Sequence, residues 1–274
     1  MNLLQATARR TAGLIGRESG LIRRLRPAYE NFLEWTGNGR GIPWIINGVT
    51  YRIDPHYRHR LGKNYDPQVA EFLRARVKPG DLCIDVGANV GVYVLQFAHW
   101  SGPAGRVIAF EPNPGAGKVL ERHVQMNNLS GRVEIVPAAV GEKSGAAILY
   151  AAEADGMSRL GAPNKELQGK THEVKVPVGT LDEYCESNEL IPNWLFMDIE
   201  GFEIAALAGA RQLLESLRGK LGVVVEMHPN VWDSANTTRA RAERLLAELR
   251  LRAIPITGQD DPLGDHGIVH LAYV

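Results

Sequence analysis

The sequence predicts an α/β domain with a doubly wound, mainly parallel sheet. Three observations predict it. From Asp81 onward, short apolar runs alternate with amphipathic helical stretches, the order expected of strands and their crossover helices. The first run passes directly into the turn Asp85-Val86-Gly87-Ala88-Asn89-Val90-Gly91 and then an apolar helix, the setting that gives glycine turns their meaning. The second run ends in an acidic residue, Glu111, twenty positions after Gly91.

Ahead of that alternation lies an extension, residues 1–63. Leu3, Leu4, Ala8, Leu14, Ile15, Leu21, Ile22 and Leu25 fall on a roughly helical stripe, and Arg9, Arg10, Arg17, Arg23, Arg24 and Arg26 make the segment basic. It reads as an amphipathic arm that packs on its own domain or on a sister subunit in a homo-oligomer. Peripheral contact with an anionic membrane is the alternative. Trp44-Ile45-Ile46, then Asn47-Gly48, then Val49-Thr50-Tyr51-Arg52-Ile53 is a hairpin pattern with Asn-Gly where a tight turn prefers it. The main domain, 64–274, opens with a helix started by Asp66-Pro67 and stopped by Lys78-Pro79-Gly80.

Within that domain strands are expected at 82–86, 107–110, 133–140, 194–199, 223–227 and 268–274, with helices at 92–98, 116–126, 203–217 and 238–249. One departure lies between Gly141 and Leu181. There 146–151 and 173–178 look like an inserted β-hairpin whose strands are joined by the polar stretch 153–170, a candidate substrate-facing element.

Composition narrows the function. The 274 residues carry a formal net charge of zero, so no nucleic-acid partner is expected, and a small-molecule or glycan acceptor fits better. Cys83 and Cys185 are too few and too scattered for a disulfide framework or a zinc site. With no secretory leader and no bilayer-length apolar stretch, the expected location is cytoplasmic.

The chemistry concentrates at strand ends. Glycine tolerates the backbone conformations of a tight turn, and Asn89 is the non-glycine type best suited to a left-handed one. Glu111, ending the neighbouring strand, is placed to accept both hydroxyls of a ribose. That much fits a nicotinamide or an adenosylmethionine site. The spacing D-x-G-x-N-x-G differs from the nicotinamide fingerprint G-x-G-x-x-G and favours S-adenosylmethionine, with Asp85 meeting the amino-acid end of the ligand. Further on, Asp198 and Glu200 share one strand face if the strand continues that far, and Glu203 reads as a cap of the next helix. Glu226 and His228 align at the end of the fifth strand. His228 is the first candidate for a general base and Asp198 the second. Asp198 with Glu226 would also suit Mg²⁺, an option given less weight because carboxylates on two strands need not converge.

Taken in order, DVGANVG, FEPNP, PAAVGEKSG, DGMSRL, TLDEY, FMDIEGFE and VVVEMHP resemble the FkbM family of methyltransferases over about residues 64–230. The resemblance implies a class I methyltransferase (Rossmann-like) fold with a seven-stranded sheet. It also implies S-adenosylmethionine as donor and O-methylation of a hydroxyl on a sugar or secondary metabolite. It places Asp85, Gly87, Asn89 and Gly91 around the methionine end, Glu111 at the ribose, Asn113 near the adenine edge, and Ala139 and Val140 beside the adenine ring. Asp198 faces the cofactor and, with Glu226 and His228, the chemistry. Two other classes compete: a nicotinamide-dependent oxidoreductase using the same turn, and a non-catalytic adenosylmethionine-binding scaffold.

Overall fold

A computed structural model describes residues 20–58, 61–152, 158–161 and 171–274. The basic arm through Arg17 and most of the stretch 153–170 lie outside the described residues. The chain divides into two compact units, one ending at Asn64 and one running from Tyr65 to Val274. In the first, helix α1 (Gly20–Gly37) continues through Pro27, and strands β1 (Ile42–Ile46) and β2 (Val49–Ile53) pair antiparallel. Asn47 and Gly48 both take positive φ, 47° and 83°, as the two-residue turn between them requires. Among the described residues no helix is long and apolar enough to cross a membrane.

The second unit is the doubly wound domain. Helix α2 (Pro67–Arg74) precedes β3 (Leu82–Val86), α3 (Val92–Trp100), β4 (Arg106–Phe110), α4 (Pro114–Met126) and β5 (Val133–Val136). Later come α5 (Leu181–Ser187), β10 (Trp194–Met197), α6 (Glu203–Ala208), α7 (Arg211–Ser216), β11 (Gly222–Met227), α8 (Arg239–Glu248), β12 (Leu251–Pro255) and β13 (Gly267–Tyr273). The sheet order is β12-β13-β11-β10-β3-β4-β5, with β13 antiparallel to both neighbours and the other pairings parallel. Strands β3, β4 and β10 are buried almost along their length because helices cover both faces, which is why they read as unbroken apolar runs. The order reverses between β3 and β10, and the crevice above their carboxyl ends is where such sheets bind ligands.

Four sequence expectations change. The run 133–140 is not one strand. Pro137 cannot donate to a ladder, Ala138 turns its N–H back onto the Val136 carbonyl (2.8 Å), and β6 (Ala139–Val140) leaves for a second sheet. That sheet, ordered β6-β9-β7-β8, is larger than the hairpin expected: β7 (Gly145–Ala151) and β9 (His172–Gly179) pair antiparallel, and β8 (Arg159–Leu160) adds to β7. The helix expected over 203–217 breaks at Gly209, where an added Cβ would lie 2.1 Å from the Gly141 carbonyl oxygen. It restarts as α7 because Asp182 accepts the free N–H groups of Gln212 (3.0 Å) and Leu213 (2.8 Å). The fourth change bears on the site: β10 stops at Met197, so Asp198 and Glu200 are not on a continuing strand.

Candidate functional site

The turn after β3 is shaped by its neighbours. Gly87 and Ala88 both donate to the Phe110 carbonyl at 3.0 Å, tying the turn to the end of β4. Gly87 has φ +87°, and a Cβ there would stand 1.9 Å from the Asp198 carbonyl oxygen. Gly91 has φ +90°, and a Cβ there would meet Leu120 of α4 at 2.4 Å. Both glycines thus permit close approach of protein to protein. Asn89 takes φ +47°, as its residue type allows.

What the turn offers a ligand is acceptor atoms. Asp85 is 1% exposed, and among the described residues its buried Oδ2 has no hydrogen-bond partner. The Asn89 Oδ1 is likewise sealed and unpartnered. Glu111 accepts from the backbone N–H groups of Asn89 (2.6 Å) and Asn113 (2.7 Å), which fixes its orientation and leaves further lone pairs. Burial, then the charges of Asp198 and Glu111, push Asp85 well above the usual carboxylate range. Burial also lifts Glu111, to about 7, against the pull of its two N–H donors. Two orphaned acceptors, one of them an acid, beside a second buried acid fit a ligand whose end is cationic, such as the ammonium and sulfonium of S-adenosylmethionine. They would repel the pyrophosphate of a nicotinamide dinucleotide.

The three residues that the resemblance assigns to the adenine region have protein neighbours of their own. Asn113 is the N-cap of α4, accepting from Gly115 (2.8 Å) and donating to Ser158 (2.9 Å). Both ends of its amide are thus committed to protein. Ala139 and Val140 are 4% and 3% exposed, Val140 in the main core and Ala139 in the core of the second sheet.

On the other side of the crevice, beyond β10 and β11, acids and imidazoles converge. His228 is buried, with Nδ1 2.7 Å from Glu203 and Nε2 3.8 Å from both Asp198 and Glu226. Glu203 is fully buried: besides His228 it accepts from the Gly201 backbone (2.8 Å) and the Trp232 indole (2.9 Å). Its position suggested a cap, but the following helix has no side-chain cap bond, and what Glu203 holds is the Gly201 turn and the imidazole. The carboxylates of two strand ends do meet, contrary to expectation. His266, just before β13, adds Nε2 at 2.8 Å from Glu226. Burial alone would lower His228, but the Glu203 bond and the charges of Glu203, Asp198 and Glu226 outweigh it and push it up to about 9. Burial, then the Glu226 charge, raises Asp198 although its side chain keeps 38% exposure. Burial raises Glu226 and His228 opposes it.

Sequence reasoning missed several neighbours. The Tyr65 phenol is kept protonated by burial and then by the charges of Asp66, Asp198, Glu226 and Asp85, which puts it within electrostatic reach of both acid groups. Tyr93 donates to Asp66 at 3.1 Å. Arg159, on β8, pairs with Glu200 at 3.1 Å, and its buried Nε has no partner among the described residues. Arg159 lies in DGMSRL, so a signal existed; His266 carried none.

The FkbM methyltransferase domain matches residues 85–251, more than half of the chain and spanning both ends of the crevice. The chain belongs to the FkbM methyltransferase family. It is therefore an S-adenosylmethionine-dependent methyltransferase, and the nicotinamide alternative falls, for the electrostatic reason given above. Among curated relatives, Methyltransferase 1 of Beauveria bassiana is 29% identical over 179 residues, covering 58% of this chain and 68% of its own. The 31-O-demethyl-FK506 methyltransferase FkbM of Streptomyces tacrolimicus is 40% identical over 65 residues, covering 23% of this chain and 25% of its own. Hexuronic acid methyltransferase AglP of Haloferax volcanii is 27% identical over 195 residues, covering 66% and 70%. The chain thus spans only a quarter of the Streptomyces relative. The solved FkbM methyltransferase of Methylobacillus flagellatus superposes with TM-score 0.48 at 16% identity, over 72% of this chain and 44% of that longer one.

Proposed function

We propose that this FkbM methyltransferase transfers the methyl group of S-adenosylmethionine to a hydroxyl of a sugar, glycan or secondary metabolite. The observation that carries the reading is the meeting of Asp198, Glu226 and His228 at strand ends across the switch point from the orphaned acceptors of Asp85 and Asn89. One end suits a cationic donor and the other a hydroxyl that must lose a proton. The FK506 and hexuronic acid methyltransferases among its relatives support the acceptor class.

In this reading Asp85 and Asn89 take the ammonium of the donor and Glu111 takes the ribose hydroxyls. Positioning is the main task, since the sulfonium is already electrophilic. His228 was the first base candidate from sequence. Carboxylates on both sides of its ring favour the imidazolium, which cannot take a proton, so Asp198 moves to first place as proton acceptor. A cytoplasmic location belongs to the same proposal and is supported by two buried, unpaired cysteines. The balanced charge keeps nucleic acids out of it.

The test is a labelled-methyl transfer assay with purified protein and a panel of neutral sugars, uronic acids and hydroxylated polyketides. An alkali-stable methyl ether is expected. Transfer confined to carboxyl groups, giving an alkali-labile ester, would overturn the hydroxyl assignment. Asp198→Asn should lower kcat by about 10²–10⁴-fold. Its adenosylhomocysteine affinity should stay nearly unchanged.

A further inference from the structure

We propose that His228 Nε2, His266 Nε2 and the Glu226 carboxylate form a binding site for a borderline divalent metal ion of the zinc class. The three ligand atoms lie within 4.8 Å of one another. His266 Nε2 is 2.8 Å and His228 Nε2 3.8 Å from Glu226 Oε1. Metal–ligand bonds of about 2.0–2.2 Å set neighbouring ligand atoms roughly 3–3.5 Å apart, so side-chain rotations that move the ligand atoms by about an ångström bring the set around one ion.

A second feature points independently to a ligand. Imidazoles that bind metals give their other ring nitrogen to a carboxylate, which fixes tautomer and direction. Glu203 does this for His228 at 2.7 Å, so that an ion at Nε2 takes the place of the proton the imidazolium carries there, and the carboxylate is itself held by Gly201 and Trp232 with no exposure to water. The His228 and His266 rings lie 4.8 Å apart at 46°, both presenting Nε2 to the same carboxylate. His266 is 56% exposed, which gives an ion a way in.

The donor set decides the ion. Mg²⁺ prefers oxygen ligands in a near-ideal octahedron, whereas two imidazoles and one carboxylate suit the later divalent metals. Methyl transfer moves no single electrons, so the ion acts as a Lewis acid. Three protein ligands leave a position open for the acceptor oxygen. The step then balances. The hydroxyl proton passes to Asp198, the oxygen forms its bond to the methyl carbon, and the carbon–sulfur bond breaks with its electron pair left on a neutral thioether. Only this last step rests on the methyl-transfer reading above; the site rests on its own geometry.

The test titrates the chelator-stripped full chain with Co²⁺, following visible absorption, with adenosylhomocysteine thermal shift measured in parallel. One equivalent should bind with ligand-field bands, and Zn²⁺ should displace it. His266→Ala, at an exposed position, should weaken Co²⁺ binding by about tenfold or more and keep the adenosylhomocysteine shift. Absence of stoichiometric binding would overturn the proposal and leave an ion-pair network only. So would Co²⁺ binding unchanged in both His266→Ala and Glu226→Gln. Metal binding without an adenosylhomocysteine shift would instead count against the cofactor reading and leave the metal site standing.

Discussion

The two ends of the crevice are built in opposite ways. At the donor end Asp85, Asn89 and Glu111 come from one βαβ stretch, and backbone alone places them: the turn hangs on the Phe110 carbonyl and Glu111 is gripped by two N–H groups. It keeps two sealed acceptors without partners. At the acceptor end Asp198, Glu203, Glu226, His228 and His266 come from four separate segments, and their groups engage one another. The donor end holds unspent negative charge for one fixed ligand, while the acceptor end sets its acids against its own imidazoles.

The largest effect should come from the residue where the ends touch. Gly87→Ala forces a Cβ to 1.9 Å from the Asp198 carbonyl at φ +87°, so backbone of both ends must move. A loss of about 3 kcal/mol or more is expected in denaturant unfolding, with cofactor binding and turnover falling together. Gly117→Ala is the matched control. Inside α4, with nothing within 4 Å of its added Cβ, it should stabilise by about 0.5–1 kcal/mol. Equal losses at the two positions would mean that general helix or turn propensity, and not the β3–β10 contact, sets the cost.

Asp85→Asn sharpens the claim that the donor end holds unspent charge. Losing a charge-assisted contact to the donor ammonium should weaken adenosylhomocysteine binding by roughly a hundredfold in calorimetry, about 2.7 kcal/mol. The ligand-free protein should become more stable above neutral pH, because a buried carboxylate with one orphaned oxygen no longer has to ionise. A variant that binds as tightly as the parent would show that Asp85 is structural.

How far the sequence disclosed all this follows the same division. The donor end was legible because its parts lie in order along the chain, and a strand, a glycine turn and a strand-end acid have fixed spacing. The sheet's central strands were legible because burial on both faces leaves uninterrupted apolar runs. The break after β5 was signalled by Pro137 and the break in the helix over 203–217 by Gly209, yet apolar periodicity ran through both and hid them. What was not legible depends on contacts distant in sequence. Nothing near His266 marks it as Glu226's partner, and a glutamate two residues past a glycine reads as a cap whether or not a histidine from another strand reaches it.

Glu203→Gln breaks the acceptor end alone. The amide keeps the shape but replaces one acceptor by a donor, which then faces the N–H of Trp232, His228 or Gly201. One buried donor loses its partner, at a cost of about 1–3 kcal/mol in stability. Turnover should fall about tenfold or more because His228 loses its fixed direction. Adenosylhomocysteine affinity should be unchanged, and its loss would mean that the two ends are coupled through α6.

The smallest expected effect is a pH dependence confined to the donor end. Burial lifts Glu111 from 4.5 to about 7, so between those values the folded protein holds a proton that the unfolded chain has lost. Its contribution to stability therefore declines as pH rises from about 4.5 toward 7 and is constant above that. Ligand binding has the opposite sign, since ribose hydroxyls donate best to the ionised carboxylate. Adenosylhomocysteine affinity should rise a few fold between pH 6 and 8, on the order of less than one 1.4 kcal/mol decade because the protonated acid still accepts. Glu111→Gln should bind more weakly throughout and flatten the profile. A profile that keeps its slope in Glu111→Gln would transfer the titration to Asp85, the other buried acid of the turn, whose burial and acidic neighbours raise it in the same direction.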